Sequence, residues 1–429
     1  MANNKAGERG QLECLSLAKY TCLMPTRRTF LQLAAMAPAA IAALKNRKSE
    51  AKPIKPEERR ARIERAQKLM TEQKINSICL AGGTSLDYFS GVHWGNSERM
   101  FIMLIPMRGE PFYIAPGFEE DRSREQIALG NGGAHAQVFT WQEDESPYQL
   151  TAVALKERGL LTGKLGIEET VKFVFADSIA KAAPTATVAS ATPITAGCRM
   201  IKSAHELELL RLASAVTLAA YEAAWKSLKE GMTQQDFGAL VAAGHAQQGF
   251  EGYAGVQVGP YSALPHGSVQ KQVVREGTIL LIDGGCRVEG YESDISRTFV
   301  LGKPTDKMKQ VFDIVYRAQS AALKQAKPGV PAGSVDAAAR KVIVDAGYGP
   351  GYKYFTHRVG HGLGMDGHEW PYLVKDNPLP LEPHMVFSDE PGIYIPGEFG
   401  VRLEDDMHIT ENGAELLTPQ SHSIEQPFA

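Results

Sequence analysis

The sequence predicts an α/β domain followed by an α+β domain assembled from two related halves. Three observations carry that reading. Short β-type runs alternate with helical segments up to about Ser190, the pattern of a layered sheet with helices on its faces. From Ser203 the texture changes to long helix pairs that feed into strands carrying acids. The punctuation of the first pair then returns: Lys229, Gly231, Gly249 and Phe250 recur as Lys327, Gly329, Gly347 and Tyr348, each 98 residues on, which favours an internal duplication.

Taken in order, the chain begins with an N-terminal segment of its own character. TRRTFLQLAAMAPAAIAAL (Thr26 to Leu44) sets paired arginines before an Ala-rich apolar run, shorter than the roughly 20 apolar residues of a membrane span. It ends in small residues, with Ala40-Ile41-Ala42 as a candidate cleavage site. Thr26-Arg27-Arg28 through Phe30-Leu31 resembles a twin-arginine export signal, although Gln32 stands where such signals often carry Lys. Residues 1–44 are therefore expected to be a signal peptide read by twin-arginine export machinery, and the product to be periplasmic. The alternative is a leader on a cytoplasmic enzyme. Met24 directly precedes the segment, so a start there would omit the first 23 residues.

Residues 45–55 are a Lys/Arg-rich stretch expected to act as a linker. Residues 56–200 are expected to form the first domain. Its helix over Pro56–Gln73 precedes strands at Ser77–Leu80, Phe101–Ile105, Phe112–Ile114 and Gln137–Thr140, with a helix at Tyr148–Glu157 and one exposed-looking pair, His93-Trp94. Residues 201–429 form the second domain. Helices are predicted over Ala204–Lys229 with Gln234–Gln248, and over Asp306–Gln325 with Ser334–Asp345. The strands Thr278–Ile282 and Ile295–Leu301 belong to the first half.

Composition excludes several functions. A net charge of -3, with both signs interspersed, offers nothing to nucleic acid. Loss of residues 1–44, with their five basic and two acidic side chains, would take the charge to -6. The five cysteines (Cys14, Cys22, Cys79, Cys198 and Cys286) show no CxxC spacing and read as free thiols. No GxGxxG, phosphate-binding loop or GxSxG stands in a convincing place.

The chemistry lies in acids at strand ends. Asp283 closes the apolar run LLI, and Asp294 opens the next strand. In the second half, HMVFSDEPGIYIPGEFGVRLEDD places Glu390 and Glu404 after apolar strands, with Pro-Gly turns between them. HRVGHGLGMDGHEW adds His357, His361 and His368. Buried acids are costly unless something positive holds them. Four carboxylates and an imidazole on rigid strands match the needs of two divalent ions, because carboxylates can bridge cations while an imidazole completes one shell.

Asp283 in LLIDGG, Asp294 in ESDISRTF, His361 in GHGLGMDGHE, Glu390 in DEPGIY and Glu404 in GVRLED together resemble the five-ligand signature of the pita-bread metallopeptidases. That family comprises Xaa-Pro aminopeptidases, prolidases, methionine aminopeptidases and the metal-free creatinases. The similarity runs from Ile201 to Pro419, and the upstream domain resembles that of the Xaa-Pro and creatinase branches. The resemblance implies a pita-bread fold with a central curved antiparallel sheet. It implies that Asp283 binds one metal, Asp294 and Glu404 bridge both, and His361 and Glu390 bind the other. Glu390 would also act as a proton shuttle. His266 in SALPHG would lie near the scissile bond, His357 and His368 would line the substrate pocket with catalytic help from His266 and His368, and Arg402 would sit near the metals, with His266, His357, His368 and Arg402 together binding the substrate. Carboxylate-rich sites suit manganese, with zinc, cobalt or iron as alternatives.

The activity expected is hydrolysis of the peptide bond before proline, as an Xaa-Pro aminopeptidase or dipeptidase, with relatives of this kind forming homodimers. A metal-free creatinase-like amidinohydrolase is the rival enzyme, and a non-catalytic binding protein on the same fold the rival outside enzymology. Retention of all five ligand positions disfavours both.

Overall fold

The computed structural model describes residues 38–130, 133 and 135–428. The arginine pair and the apolar run of the expected export signal as far as Ala37 lie outside the described residues, as do Cys14 and Cys22. Among the described residues no helix is long and apolar enough to cross a membrane.

The description opens with the short helix α1 (Ala39–Ala42), whose Ile41 is only 1% exposed. The candidate cleavage site is thus folded rather than extended. Residues 45–55 run against the body of the protein. Arg47 N–H donates to the Gln248 carbonyl (2.9 Å), Gln247 Nε2 to the Leu44 carbonyl (3.3 Å), and Ala51 and Ile54 are buried.

The first domain alternates as predicted: α2 (Pro56–Gln73), β1 (Ser77–Ala81), α3 (Thr84–Ser90), β2 (Ile102–Pro106), β3 (Phe112–Pro116), α4 (Glu120–Leu129), β4 (Gln137–Trp141), α5 (Pro147–Glu157), β5 (Gly163–Ile167), α6 (Phe173–Ala182), β6 (Ala186–Ser190) and α7 (Thr192–Arg199). The sheet runs β4-β3-β2-β1-β5-β6. Its outer pairs are parallel, while β2 is antiparallel to both neighbours. The central strands β1, β2 and β3 are buried along their whole length, which is why they read as continuous apolar runs. In the exposed-looking pair, His93 is indeed solvated and paired with Asp87 (3.0 Å). Trp94 is instead buried, stacked on Phe101 with ring centroids 4.3 Å apart.

In the second domain the two halves repeat one plan. The first has α8 (Ala204–Trp225) and α9 (Gln234–Gln247), then β7 (Glu251–Gly252), β8 (Gly255–Val258), β9 (Ile279–Gly284), β10 (Cys286–Val288), β11 (Tyr291–Glu292) and β12 (Ile295–Val300). The second has α10 (Asp306–Gln325) and α11 (Ala332–Asp345), then β13 (Gly360–Gly362), β14 (Glu369–Leu373), β15 (Val386–Asp389), β16 (Gly392–Ile395), β17 (Phe399–Arg402), β18 (Asp405–Ile409) and β19 (Ala414–Leu416). Helix α8 stops four residues short of its predicted end because Ser227 and Leu228 N–H turn back to the carbonyls of Ala224 and Trp225, three residues earlier. All pairings in this domain are antiparallel.

Each half builds its own helix-on-sheet core. Phe237, Val241, Leu280, Ile282 and Phe299 pack together in the first, and Val311, Phe312, Ile343, Phe387 and Met407 in the second. The halves join where β12 meets the β17–β18 corner. There Glu404 N–H donates to the Ser296 carbonyl (3.2 Å) and Thr298 Oγ1 to the Arg402 carbonyl (2.8 Å). Acids at strand ends from both halves meet along this seam.

Candidate metal centre

Local backbone explains why each acid sits where it does. Asp283 is the fifth residue of β9 and pairs with Ser296 across β12, so the two side chains share a face. The glycines after it let the chain fold back: a Cβ on Gly285 would collide with the Ser293 carbonyl. That fold-back delivers Asp294 to the start of β12. His361 lies in β13 at a register shift between it and Gly362, and its N–H donates to Ser388 Oγ (3.1 Å). A Cβ on Gly360 would strike the Ser388 carbonyl and one on Gly362 the carbonyls of Glu369 and Trp370, so the glycines flanking His361 permit close approach to β15 on one side and β14 on the other. Glu390 follows β15 directly, and Glu404 lies between β17 and β18.

These residues converge. His361 Nε2 lies 3.2 Å from Glu390 Oε1 and 3.7 Å from Asp294 Oδ2. Arg402 Nη2 pairs with Asp283 Oδ2 at 2.6 Å, while its Nε donates to Ser296 Oγ (2.9 Å). Ser296 Oγ lies 2.7 Å from Asp283 Oδ1 and 2.6 Å from Glu404 Oε2. A hydroxyl has one proton to give, so it cannot satisfy both carboxylates as anions.

The electrostatics agree. Burial, then the charges of Asp283, Glu390 and Asp406, push the Asp294 carboxyl far above its usual range. Burial, then Asp294, Glu390 and Asp283, do the same to Glu404. Burial would also raise Glu390, but its hydrogen bond to His361 and the nearby His357 and Arg402 outweigh that and hold it low. The cluster cannot carry its full negative charge without added positive charge.

Donor atoms fall into three compact sets, each within 4.8 Å: Asp294, His361 and His368; His361, Glu390 and Glu404; and Asp283, Asp294 and Glu404. Asp294, Glu404 and His361 each belong to two sets. Overlapping sets of carboxylate and imidazole donors fit divalent cations held side by side, so the residues present suit the metals the sequence implied.

The sites expected around this cluster line one cleft of about 460 Å³, formed with Pro265, Tyr352, Arg358 and Val374. His266 is exposed at its rim, and the Pro265 carbonyl beside it accepts from Arg402 Nη1 (3.2 Å). His357 Nε2 hydrogen-bonds Tyr394 OH (2.7 Å), which also accepts from Arg402 Nη1 (3.0 Å). The His368 ring lies against that of His361, centroids 3.9 Å apart and planes tilted by 35°. Burial, then His361, lower its imidazole to about 4, so it is neutral at pH 7. A roomier hollow of about 600 Å³ lies on the first domain against Arg60, Tyr113 and Arg158, and holds none of these donor sets.

Three contributors were missed in the sequence. Ser296 stands two residues after Asp294, on the same strand face, and that spacing could have found it. Tyr394 sits on β16, paired with the strand β17 that carries the expected Arg402, a relation visible only once the hairpin register is known. Arg358 lies inside the quoted HRVGHG stretch, and its place in the cleft depends on residues ten and fourteen positions later.

Comparison with known proteins adds a second line. Residues 208–411 match the model of metallopeptidase family M24, and residues 62–201 that of the creatinase/prolidase N-terminal domain. The chain is 31% identical over 370 residues to the Xaa-Pro dipeptidase of Lactobacillus delbrueckii subsp. lactis, covering 84% of this chain and 98% of that one. Among crystal structures it superposes on dipeptidase PepE from Mycobacterium ulcerans with a TM-score of 0.81, at 32% identity over 87% of this chain and 99% of that one. On a prolidase from Thermococcus sibiricus the TM-score is 0.75, at 31% identity over 84% and 96% of the two chains.

Proposed function

Because the chain belongs to metallopeptidase family M24 and is a peptidase of the Xaa-Pro dipeptidase and prolidase kind, we propose that it is a two-metal exopeptidase hydrolysing the bond before proline. The observation that carries this is the overlap of donor sets, with Asp294 and Glu404 common to two groups. Asp283, Asp294 and Glu404 would hold one cation and Asp294, His361, Glu390 and Glu404 would hold the other, with manganese the best match to so many carboxylates. When bound, such a pair polarises the scissile carbonyl and lowers the pKa of water.

The chain's own groups do the rest. Glu390, between His361 and His357 (3.6 Å from Nδ1), takes the proton of the attacking water as the C–O bond forms. It passes that proton to the proline nitrogen as the C–N bond breaks. His266 and His368 flank the scissile bond and donate to or accept from the substrate backbone. Arg402, paired with Asp283 and Ser296, holds those groups still at the wall of the substrate cleft.

The test is metal content by mass spectrometry, paired with hydrolysis of Ala-Pro, Ala-Pro-Ala and proline-free Ala-Ala by wild type and Asp294→Ala. About two ions per chain and proline-dependent cleavage lost in the variant are expected. Full activity in the metal-stripped protein would overturn the reading.

We further propose that residues 1–44 direct export to the periplasm through the twin-arginine route, on the strength of Arg27-Arg28 and the apolar run after them. Replacing both arginines by lysine should leave the protein in the cytoplasm. Undiminished export of that variant would refute this.

A further inference from the structure

The loop that carries His368 is held from outside the cleft. Residues 363–368 join β13 to β14 without regular structure, and His368 is exposed. Its ring lies against His361, and its Nδ1 meets Arg358 Nη2 only at 3.4 Å. The residues on either side of it are anchored far more firmly. Glu369, 6% exposed, accepts from Lys202 Nζ on Oε1 (2.6 Å) and from Arg199 Nη2 on Oε2. Asp366, two residues before His368, accepts from the same Arg199 nitrogen on Oδ2 (2.6 Å) and from Thr84 Oγ1 on Oδ1 (2.6 Å). Lys202 Nζ also donates to the Arg199 carbonyl (2.7 Å), which closes a balanced cluster of two cations and two anions. A Cβ on Gly364 would strike Glu369 Oε1. The Gly364 carbonyl in turn accepts from the N–H of Glu292 (2.8 Å), two residues before Asp294. Thr84, Arg199, Lys202, Asp366 and Glu369 do not line the metal cleft, whereas His368 does.

We propose that Arg199 is a positioning residue for the reaction: with Lys202 it acts through Glu369 and Asp366 to fix the His368 ring against His361. The proposal rests on the peptidase reading above for what His368 does, but not for where its ring sits. One Arg199 nitrogen ties the loop at Asp366 and at Glu369, so His368 is spanned by two anchors that share a single support. Buried and paired on both sides, such a network specifies one geometry. The first domain thereby completes a site to whose wall it contributes no side chain among the described residues. In Arg199→Met the Lys202 ammonium still serves Glu369, so that acid is not orphaned, while Asp366 keeps only Thr84. Lysine at 199 restores the charge but not the fixed fork.

The experiment compares wild type, Arg199→Met, Arg199→Lys, Thr84→Val, His368→Ala and the double variant Arg199→Met/His368→Ala on Ala-Pro and Ala-Leu with manganese. In Arg199→Met kcat should fall by about 10- to 100-fold, as for a reacting geometry slightly displaced, with KM little changed. Arg199→Lys should recover part of this, and Thr84→Val should show a smaller loss of the same kind. The double variant should be no slower than His368→Ala, because Arg199 acts only through that ring. Losses that multiply, or wild-type kcat in Arg199→Met, overturn the proposal. Histidine-ring NMR of the zinc-loaded proteins runs alongside. Cross-relaxation between the His361 and His368 rings should be present in wild type and lost in Arg199→Met. Its absence from wild type, or its persistence in that variant, also overturns the proposal. If no peptide is cleaved, the peptidase reading fails and the spectrum alone decides on Arg199. Should Arg199→Met not fold, Thr84→Val decides, and wild-type kcat with an undiminished ring-to-ring signal there is the refuting result.

Discussion

Arg402 shows what a single side chain must do to hold a cluster of anions. It is 3% exposed and completely committed: Nη2 to Asp283, Nε to Ser296, Nη1 to Tyr394 and to the Pro265 carbonyl. Through these bonds it fixes a candidate metal ligand, the hydroxyl shared by two ligands, the partner of His357 and the loop carrying His266. Lysine could keep the charge but not the fork. In Arg402→Met, the partly exposed Asp283 loses its counter-charge and buried Ser296 and Tyr394 lose a partner, a change that costs about 1–3 kcal/mol. Urea denaturation in the presence of a chelator should show that loss. The deficit should shrink when manganese is added, because cations then supply the positive charge the arginine gave. A variant as stable as wild type in chelator would refute this account of Arg402.

At the scale of elements, what could be read from the chain depended on how local its cause was. Helix α10 begins and ends where its apolar period and Thr305 cap place it, with Thr305 Oγ1 accepting from Met308 N–H. Strands β1 to β4 were legible because the residues that make them apolar runs are contiguous. Strands β5 and β6 were not. GKLGI and ATVAS carry little apolar signal, and β6 is an edge strand with Val188 39% exposed, so the pairing of β5 with β1 and of β6 with β5, rather than composition, makes them strands. The ligand candidates were legible because each stands at the end of an apolar strand. What supports them was not, since its cause is contact across long separations. Arg199 of α7 pairs with Asp366 and Glu369, Lys202 Nζ with Glu369 (2.6 Å), and Thr84 Oγ1 with Asp366 (2.6 Å). Together they bind the first domain to the loop between His361 and β14, the loop that carries His368. No spacing rule reaches across 167 or 282 residues. Segment 45–55 is a similar case: its charge reads as a solvated tether, yet Ala51 and Ile54 anchor it against the body.

For the molecule as a whole, the site acts as a sink of buried acid whose cost depends on pH and on cations. Burial raises Asp389 and Asp405 as well as Asp294 and Glu404, and it raises Asp406 to about 8. Each of these groups binds its proton more tightly folded than unfolded. Below about pH 4, the ordinary carboxyl range, both states hold the proton and nothing is lost. As pH climbs from there, the unfolded chain sheds these protons first, so metal-free stability falls until the folded values are passed, near 8 for Asp406. Glu390 and Glu369, held low by their basic partners, act in the opposite sense, and their contribution is lost only in stronger acid. Divalent cations compete with the same protons, so their affinity should rise with pH. Saturation at a hundredfold over Kd adds about 2.7 kcal/mol, and each kcal/mol is worth about 2–4 °C of Tm in a domain of 150–250 residues. Scanning calorimetry at pH 5 and pH 8, in chelator and in manganese, should therefore give a larger metal-dependent gap in Tm at pH 8. Asp294→Asn removes one of the raised acids and one shared donor together. It should be more stable than wild type in chelator at pH 8 and respond less to manganese. A gap that is equal or smaller at pH 8 would mean that protons and cations do not share this cluster.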